Sequence, residues 1–281
     1  MAQGKQALKA RIKSVSATKK IISAMELISN SKLQKQRNLL EKNREYAATC
    51  LETMNEILSD NPDLENRYLR KHQSNKALTI LFSSDLGLCG GYNSNMLKMA
   101  SSVLKKEDPM IIIGSKGRNW MMSRGFNVIN DYLDSGNFAY EDASRIASQA
   151  LAMYLDDEIS RIQVVYTEFI NTVTFRPAIK ALLPMEVKKA NKVREFKVET
   201  MFEPNADEIL DSLIPMAVRS ELYSLSLETK TSEQASRRVA MENANDNAEE
   251  LSEKLVLQFN QARQAAITQE IAEIVAGADS L

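Results

Sequence analysis

The sequence predicts a mixed α/β fold: a Rossmann-like α/β domain inserted between two long terminal helices that pair as an antiparallel coiled coil. Three observations carry this. All six prolines lie between Pro62 and Pro215, and apart from Gly4 and Gly277 every glycine lies between Gly87 and Gly136. These are the strongest breakers of regular structure, so residues 5–61 and 216–276 are free to form long helices. Apolar residues in both ends recur at helical steps, and the middle alternates short apolar runs with helical patterns.

The first element is a helix over residues 1–60. Leu8, Ile12, Val15, Ile22, Met25, Ile28, Leu33 and Leu40 lie mostly three, four or seven apart, the spacing of one helix face. A charged linker follows over 61–76. The central α/β domain, 77–205, opens with the strand-like run Ala77–Phe82 and continues with Met110–Ile113, Phe126–Ile129 and Ile162–Tyr166. Helical patterns lie between them at about 92–106, 115–124 and 140–157, an alternation that implies a largely parallel sheet. The run Asn171–Pro177 reads as an edge strand, a place that tolerates proline. The last element is a helix from 206 to the C-terminal end at 281. Its seam steps through Met241, Ala244, Ala248, Leu251, Leu255, Phe259, Ala262 and Ala266, the pattern of a coiled coil with small residues that let a partner helix approach. A helix over 206–276 is roughly 105 Å long at 1.5 Å per residue. No core of this size covers that length, so the helix pairs with the other terminal helix, projects into a partner, or both.

Whole-chain quantities exclude several classes. The formal net charge of −1 creates no global field for nucleic acid or membrane. The two cysteines, Cys50 and Cys89, are too few and too far apart for a disulfide scaffold or a zinc site, which suits a reducing cytoplasm. There is no signal-like apolar segment at the start, and no apolar run approaches the roughly 20 residues needed to span a bilayer.

Candidate chemistry is sparse. The segment Ser83-Ser84-Asp85-Leu86-Gly87-Leu88-Cys89-Gly90-Gly91 follows the first strand and precedes a helix, where an α/β fold holds a phosphate. Its spacing matches neither G-x-G-x-x-G nor a P-loop, and a tight turn accounts for its glycines. Cys89 is a possible nucleophile, but the one histidine, His72, lies in the charged linker, which argues against a Cys–His pair. The carboxylates fall mostly on helix faces expected to be solvated. Residues 1–45 carry eleven Lys and Arg against Glu26, Glu41 and Glu45, with no aromatic residue. That stripe fits acidic loops of a protein partner or, without base stacking, nucleic acid; composition leaves both open. Near the C-terminus Arg263, Gln264 and Thr268 cluster on one helix surface, and the apolar tip Ile267, Ile271, Ile274 and Val275 calls for something to enclose it.

At this point the sequence resembles the gamma-subunit family of the F-type ATP synthases. The run Ile267-Thr268-Gln269-Glu270-Ile271-Ala272-Glu273-Ile274-Val275-Ala276-Gly277-Ala278-Asp279-Ser280 satisfies that family's terminal signature at each specified position. The likeness extends through Ser232–Met241, Asn243–Ala248, the loop Ser84–Gly91, and Thr18-Lys19-Lys20-Ile21 with Ala24-Met25-Glu26, so it covers essentially the whole chain. Leu27-Ile28-Ser29 departs from the family's usual Met/Leu-Val-Ala, and the paired-cysteine insertion of chloroplast relatives is missing. No organellar transit peptide is evident, which points to a bacterium.

The resemblance implies a non-catalytic rotor shaft with no cofactor or metal of its own. It would sit as one copy inside a ring of alpha and beta subunits, holding the epsilon subunit and the membrane c-ring at its other end, and would bind no nucleic acid. It would lie peripherally on the cytoplasmic face of the bacterial cell membrane. By the same resemblance Arg263, Gln264, Thr268 and Arg237 contact the catalytic ring, Met25 lies where the shaft meets the moving beta lever, and the basic first helix faces acidic segments of beta. Two other classes make different demands. An α/β nucleotide hydrolase with a coiled-coil arm binds nucleotide by itself. A basic coiled-coil nucleic-acid binder loses affinity steeply with salt.

Overall fold

Three of the apolar runs become parallel strands because each is short, β-branched and bounded by turn residues. The computed structural model describes residues 2–61, 64, 66–70, 72–185 and 205–278. Its strands are β1 (Ala77–Phe82), β2 (Met110–Ile113), β3 (Arg161–Phe169) and β4 (Phe175–Leu183). They form one sheet in the order β2-β1-β3-β4, with β1 parallel to both β2 and β3, and β4 antiparallel to β3. The helices are α1 (Ala2–Asp60), α2 (Tyr92–Val103), α3 (Ser115–Met122), α4 (Tyr140–Leu155) and α5 (Ala206–Ala278), the last running unbroken past Pro215. Asp279 and Ser280 of the terminal run lie outside the described residues.

The chain divides into two compact units, Ser31–Ser236 and Met1–Asn30 with Arg237–Leu281. In the first, side chains alternate across the sheet with the period of two that a strand imposes. Leu78, Ile80, Phe82, Ile111 and Val164 pack with α4, the end of α1 and the start of α5. Leu81, Met110, Ile112 and Val165 pack with Met96, Leu97 and Met121 of α2 and α3. The parallel pairing of β1 with β3 begins before either strand. Gln73 N–H donates to Asp157 Oδ1 (3.1 Å), Ser74 Oγ to the Glu158 carbonyl (2.9 Å) and Ser160 N–H to the Lys76 carbonyl (2.9 Å). His72 joins this zipper through Nδ1, 2.8 Å from Asp157 Oδ1.

Two expectations are corrected. Phe126–Ile129 is not a strand; it makes a single bridge, Met110 to Val128. The next position along β2 is taken by a side chain instead, since Asn130 accepts the Ile112 N–H (2.9 Å) and donates to the Ile112 carbonyl (3.0 Å). Asn171–Thr174 is not strand either. Asn171 Oδ1 accepts the N–H groups of Val173 (3.0 Å) and Thr174 (2.8 Å), an Asx turn that defers β4 to Phe175. Pro177 does lie on the edge strand, opposite Thr167. The Thr167 N–H points away from β4, toward Thr229 Oγ1 (3.3 Å). That makes Thr167–Pro177 a non-hydrogen-bonded pair and turns the proline nitrogen away from β3, to the side of β4 that no other described strand occupies.

The carboxyl end of the sheet is closed by Asp85. Its Oδ1 accepts Ser115 N–H at the start of α3 (2.7 Å) and the Tyr132 hydroxyl (3.0 Å), and its Oδ2 accepts Ser135 N–H and Oγ (2.7 Å each). Burial alone would raise this carboxyl, but the bonds from Ser135, Ser115 and Tyr132 hold it down to about 2. Close by, Gly114 has φ of 91°, and a Cβ there would stand 2.2 Å from the Ser83 carbonyl oxygen.

In the second unit α1 and α5 run antiparallel. Lys19 pairs with Glu249, and Ser23 Oγ donates to Asn245 Oδ1 (3.0 Å), so four residues forward on one helix are four residues back on the other. The seam follows the expected alanines but not every expected apolar residue. Leu251 is 40% exposed and Ile28 55%, while Ser252 is half-buried and Ser29 only 2% exposed. Met241 and Leu255 are the buried large residues of this stretch of α5. No helix among the described residues is long and apolar enough to cross a membrane.

Five substitutions probe these features by urea denaturation. Gly114→Ala is expected to cost about 2–4 kcal/mol from positive φ and overlap together, whereas Gly87→Ala, with nothing within 4 Å of its Cβ, stays within about 0.5 kcal/mol. Leu255→Ala should cost about 2–3 kcal/mol, the buried-leucine range, and Leu251→Ala much less; equal losses would place Leu251 back in the seam. Asp85→Asn should cost about 1–3 kcal/mol at neutral pH. Because the folded Asp85 carboxyl ionises below the unfolded one, its contribution is complete above the ordinary aspartate range and is lost as pH falls from about 4 toward about 2. Variant and parent curves that stay parallel through that window would refute the assignment.

Candidate functional site

The enzyme-like loop after β1 is satisfied from within the chain. Asp85 fills the anion position at the N-terminus of α3 that a phosphate would take. Ser84 Oγ donates to the Leu86 carbonyl (2.7 Å), and Asn93 both accepts Ser84 N–H (3.1 Å) and donates to Ser84 Oγ (2.7 Å). Gly90 takes φ of 56°, the one glycine of the loop whose backbone requires it, and Leu88 adopts φ of 60° beside it. Cys89 is buried, with Asn93 Nδ2 3.4 Å from its sulfur, and His72 is committed to Asp157. The arrangement is a self-capped turn rather than a ligand cradle.

The residues expected at a partner surface all fall in the unit of Met1–Asn30 with Arg237–Leu281. Met25 is half-buried on the inner face of α1, its carbonyl accepting the Ser29 hydroxyl (2.8 Å). Arg237 is buried, 6% exposed. Arg263, Gln264 and Thr268 are exposed and lie within six consecutive residues of α5. Arg237 stands apart from that trio by about 39 Å along the axis at 1.5 Å per residue, so the structure gathers three of the five into one patch and leaves two elsewhere.

The trio is set in an apolar surface. Val256, Arg263, Ile267 and Ile274 follow one outward stripe of α5, and Leu257, Gln264, Thr268, Ile271 and Val275 the next; every one of these is exposed. Sequence reading finds the tip but misses Val256 and Leu257, together with Ile21, Leu27, Ile28 and Leu251, because those residues look like seam or flank until the partner helix fixes the register. Their exposure gives a wide apolar area bearing a few directional polar groups, the composition of a protein interface. On α1 the basic residues Lys9, Arg11, Lys13 and Lys20 are exposed, while Lys19 is paired to Glu249.

Known proteins share both the sequence and the fold. A family model described as ATP synthase matches residues 4–281. The chain is 41% identical to the ATP synthase gamma chain of Alkaliphilus metalliredigens, with 100% of each chain covered. It is 39% identical to that of Clostridium kluyveri, over 98% of this chain and 97% of the relative. Among solved structures, a chain of the Tetrahymena thermophila mitochondrial ATP synthase central stalk and c-ring matches with a TM-score of 0.60 and 24% identity, covering 80% of this chain and 99% of that one. A chain of the Euglena gracilis mitochondrial enzyme gives 0.57 at 17% identity, covering 92% and 95%. These likenesses at low identity extend the agreement to the fold. The family model over residues 4–281 and the full-length relatives at 39–41% identity establish that the chain belongs to the ATP synthase gamma-chain family.

Proposed function

We propose that the chain is the central rotor shaft of a rotary ATP synthase and performs no nucleotide chemistry itself. The observation that carries this is the well-formed, apolar and uncovered surface of α5 from Val256 to Val275, which needs a sleeve of partner protein. In this reading the helix pair stands, as one copy, inside a ring of three alpha and three beta subunits. Turning presents a different face to each beta subunit and shifts its site by differential contact. Arg263, Gln264 and Thr268 engage the sleeve near the tip, Arg237 and Met25 act further along, and the basic face of α1 meets acidic segments of beta.

The α/β part holds the epsilon subunit and the c-ring, coupling ion flow to rotation. The Tetrahymena neighbour is described with its central stalk and c-ring, which supports that assignment. The complex holds the chain peripherally at the cytoplasmic face of a bacterial membrane.

Reconstitution with alpha and beta subunits tests the reading. A larger ATPase containing one copy of this chain per ring is expected, and failure to form it would sink the proposal. Within that complex Arg263→Ala should weaken the hold of the ring by about 2 kcal/mol, as truncating a central interface arginine does. The isolated chain should change by no more than about 0.5 kcal/mol. ATP synthesis in membrane vesicles and thermal unfolding of the free chain read the two effects, and undiminished synthesis would remove Arg263 from the contact.

A further inference from the structure

Between Leu225 and Arg237, helix α5 buries an unusual number of polar side chains. Ser226, Thr229, Thr231, Ser232 and Ser236 are each 5% exposed or less. They divide by what they bond. Ser226 Oγ and Thr231 Oγ1 turn back on their own helix, donating to the carbonyls of Tyr223 (2.7 Å) and Leu227 (2.7 Å). Three others reach across to backbone outside the helix. Thr229 Oγ1 accepts the Thr167 N–H (3.3 Å), Ser232 Oγ donates to the Thr167 carbonyl (3.1 Å), and Ser236 Oγ donates to the Cys89 carbonyl (2.7 Å). The spacing of these three sets them on one stripe of the helix, facing the end of β3 and the loop after β1.

Apolar packing resists separation but is non-directional, so it opposes turning of a helix about its own axis less sharply than it opposes departure. A hydrogen bond weakens steeply once its angle or length changes. A row of such bonds to fixed backbone therefore sets the azimuth of a helix as well as its position. We propose that Thr229, Ser232 and Ser236 form the joint that locks α5 against rotation relative to the sheet, so that torque passes between the α/β part and the helix without slip. They are positioning residues, and the proposal rests on the reading of the chain as a rotating shaft.

The test uses the assembled complex in membrane vesicles, measuring ATP hydrolysis and ATP-driven ion pumping together. In the variant combining Thr229→Val, Ser232→Ala and Ser236→Ala, hydrolysis is expected to persist while the ions pumped per ATP fall. The control variant Ser226→Ala with Thr231→Val removes two buried hydroxyls from the same stretch, but only bonds internal to the helix, and should keep the normal ratio. Equal ratios in the two variants, whether both normal or both lowered, would overturn the joint. If the triple variant does not assemble, Thr229→Val and Thr229→Ser decide: a ratio lowered by valine and retained by serine, which keeps the acceptor, supports the joint, and equal ratios refute it. Failure of the unaltered chain to assemble with alpha and beta subunits is a separate result, one that removes the shaft reading itself.

Discussion

A strand that outlasts its neighbour sets the main constraint on the unit of Ser31–Ser236. The pairing of β3 with β1 ends at Val165, yet β3 continues to Phe169. Buried backbone groups without water must find partners, and α5 provides them from its side chains. Thr229 and Ser232 serve Thr167, and Glu228 Oε1 accepts the Phe169 N–H (3.0 Å). Burial pushes the Glu228 carboxyl up despite the opposing pull of Arg44 and the Phe169 N–H. Arg44 of α1, 2.8 Å away, supplies the balancing charge, so a single carboxylate links α1, α5 and the sheet. Lys180 of β4 makes a comparable tie to Glu221 (2.5 Å). A helix that would otherwise only cover the sheet is thereby stitched to it.

Much of this architecture is written locally in the chain, and the parts that are not share a physical cause. The runs at 77–82, 110–113 and 162–166 become strands because their β-branched and apolar content needs no distant help to be recognised. The run at 126–129 has similar content but lies at the edge, where Asn130 competes successfully for Ile112. Asn171 displaces β4 by the same kind of side-chain mimicry. The polar stretch of α5 is the deeper failure. Serine, threonine and glutamate on a helix read as a solvated face, and the expectation that carboxylates stay in water fails for Glu221, Glu228 and Glu233. The groups that Glu221, Glu228, Thr229, Ser232 and Ser236 meet, side chains such as Lys180 and Arg44 and the backbone of Thr167, Phe169 and Cys89, lie far away in sequence, and no periodicity announces them. At the candidate contact surface the tip trio is legible, because neighbours on a helix are fixed by spacing alone, whereas the burial of Arg237 is not.

The helix pair shows how little one residue of register costs the pattern and how much it changes the surface. Ile28 beside Ser29 and Leu251 beside Ser252 are two places where the more apolar residue was expected inside and the smaller one is found there. Small seam residues let the helices approach closely, and the Ser23–Asn245 bond and the Lys19–Glu249 pair favour this alignment over neighbouring ones. The larger side chains are thereby turned outward. What weakens the pair as a free hairpin equips it with material for contact with other chains.

The two margins of the sheet carry a different implication. Asn130 occupies the rim of β2 with a carboxamide that imitates a peptide, and Pro177 presents a nitrogen without hydrogen along the rim of β4. Open strand edges are templates on which identical chains polymerise. Among the described strands, one margin is shut and the other blunted, which discourages growth of the sheet from molecule to molecule. The exposed apolar surface is left on the helices, and the polypeptide is discouraged from accumulating as stacks of itself.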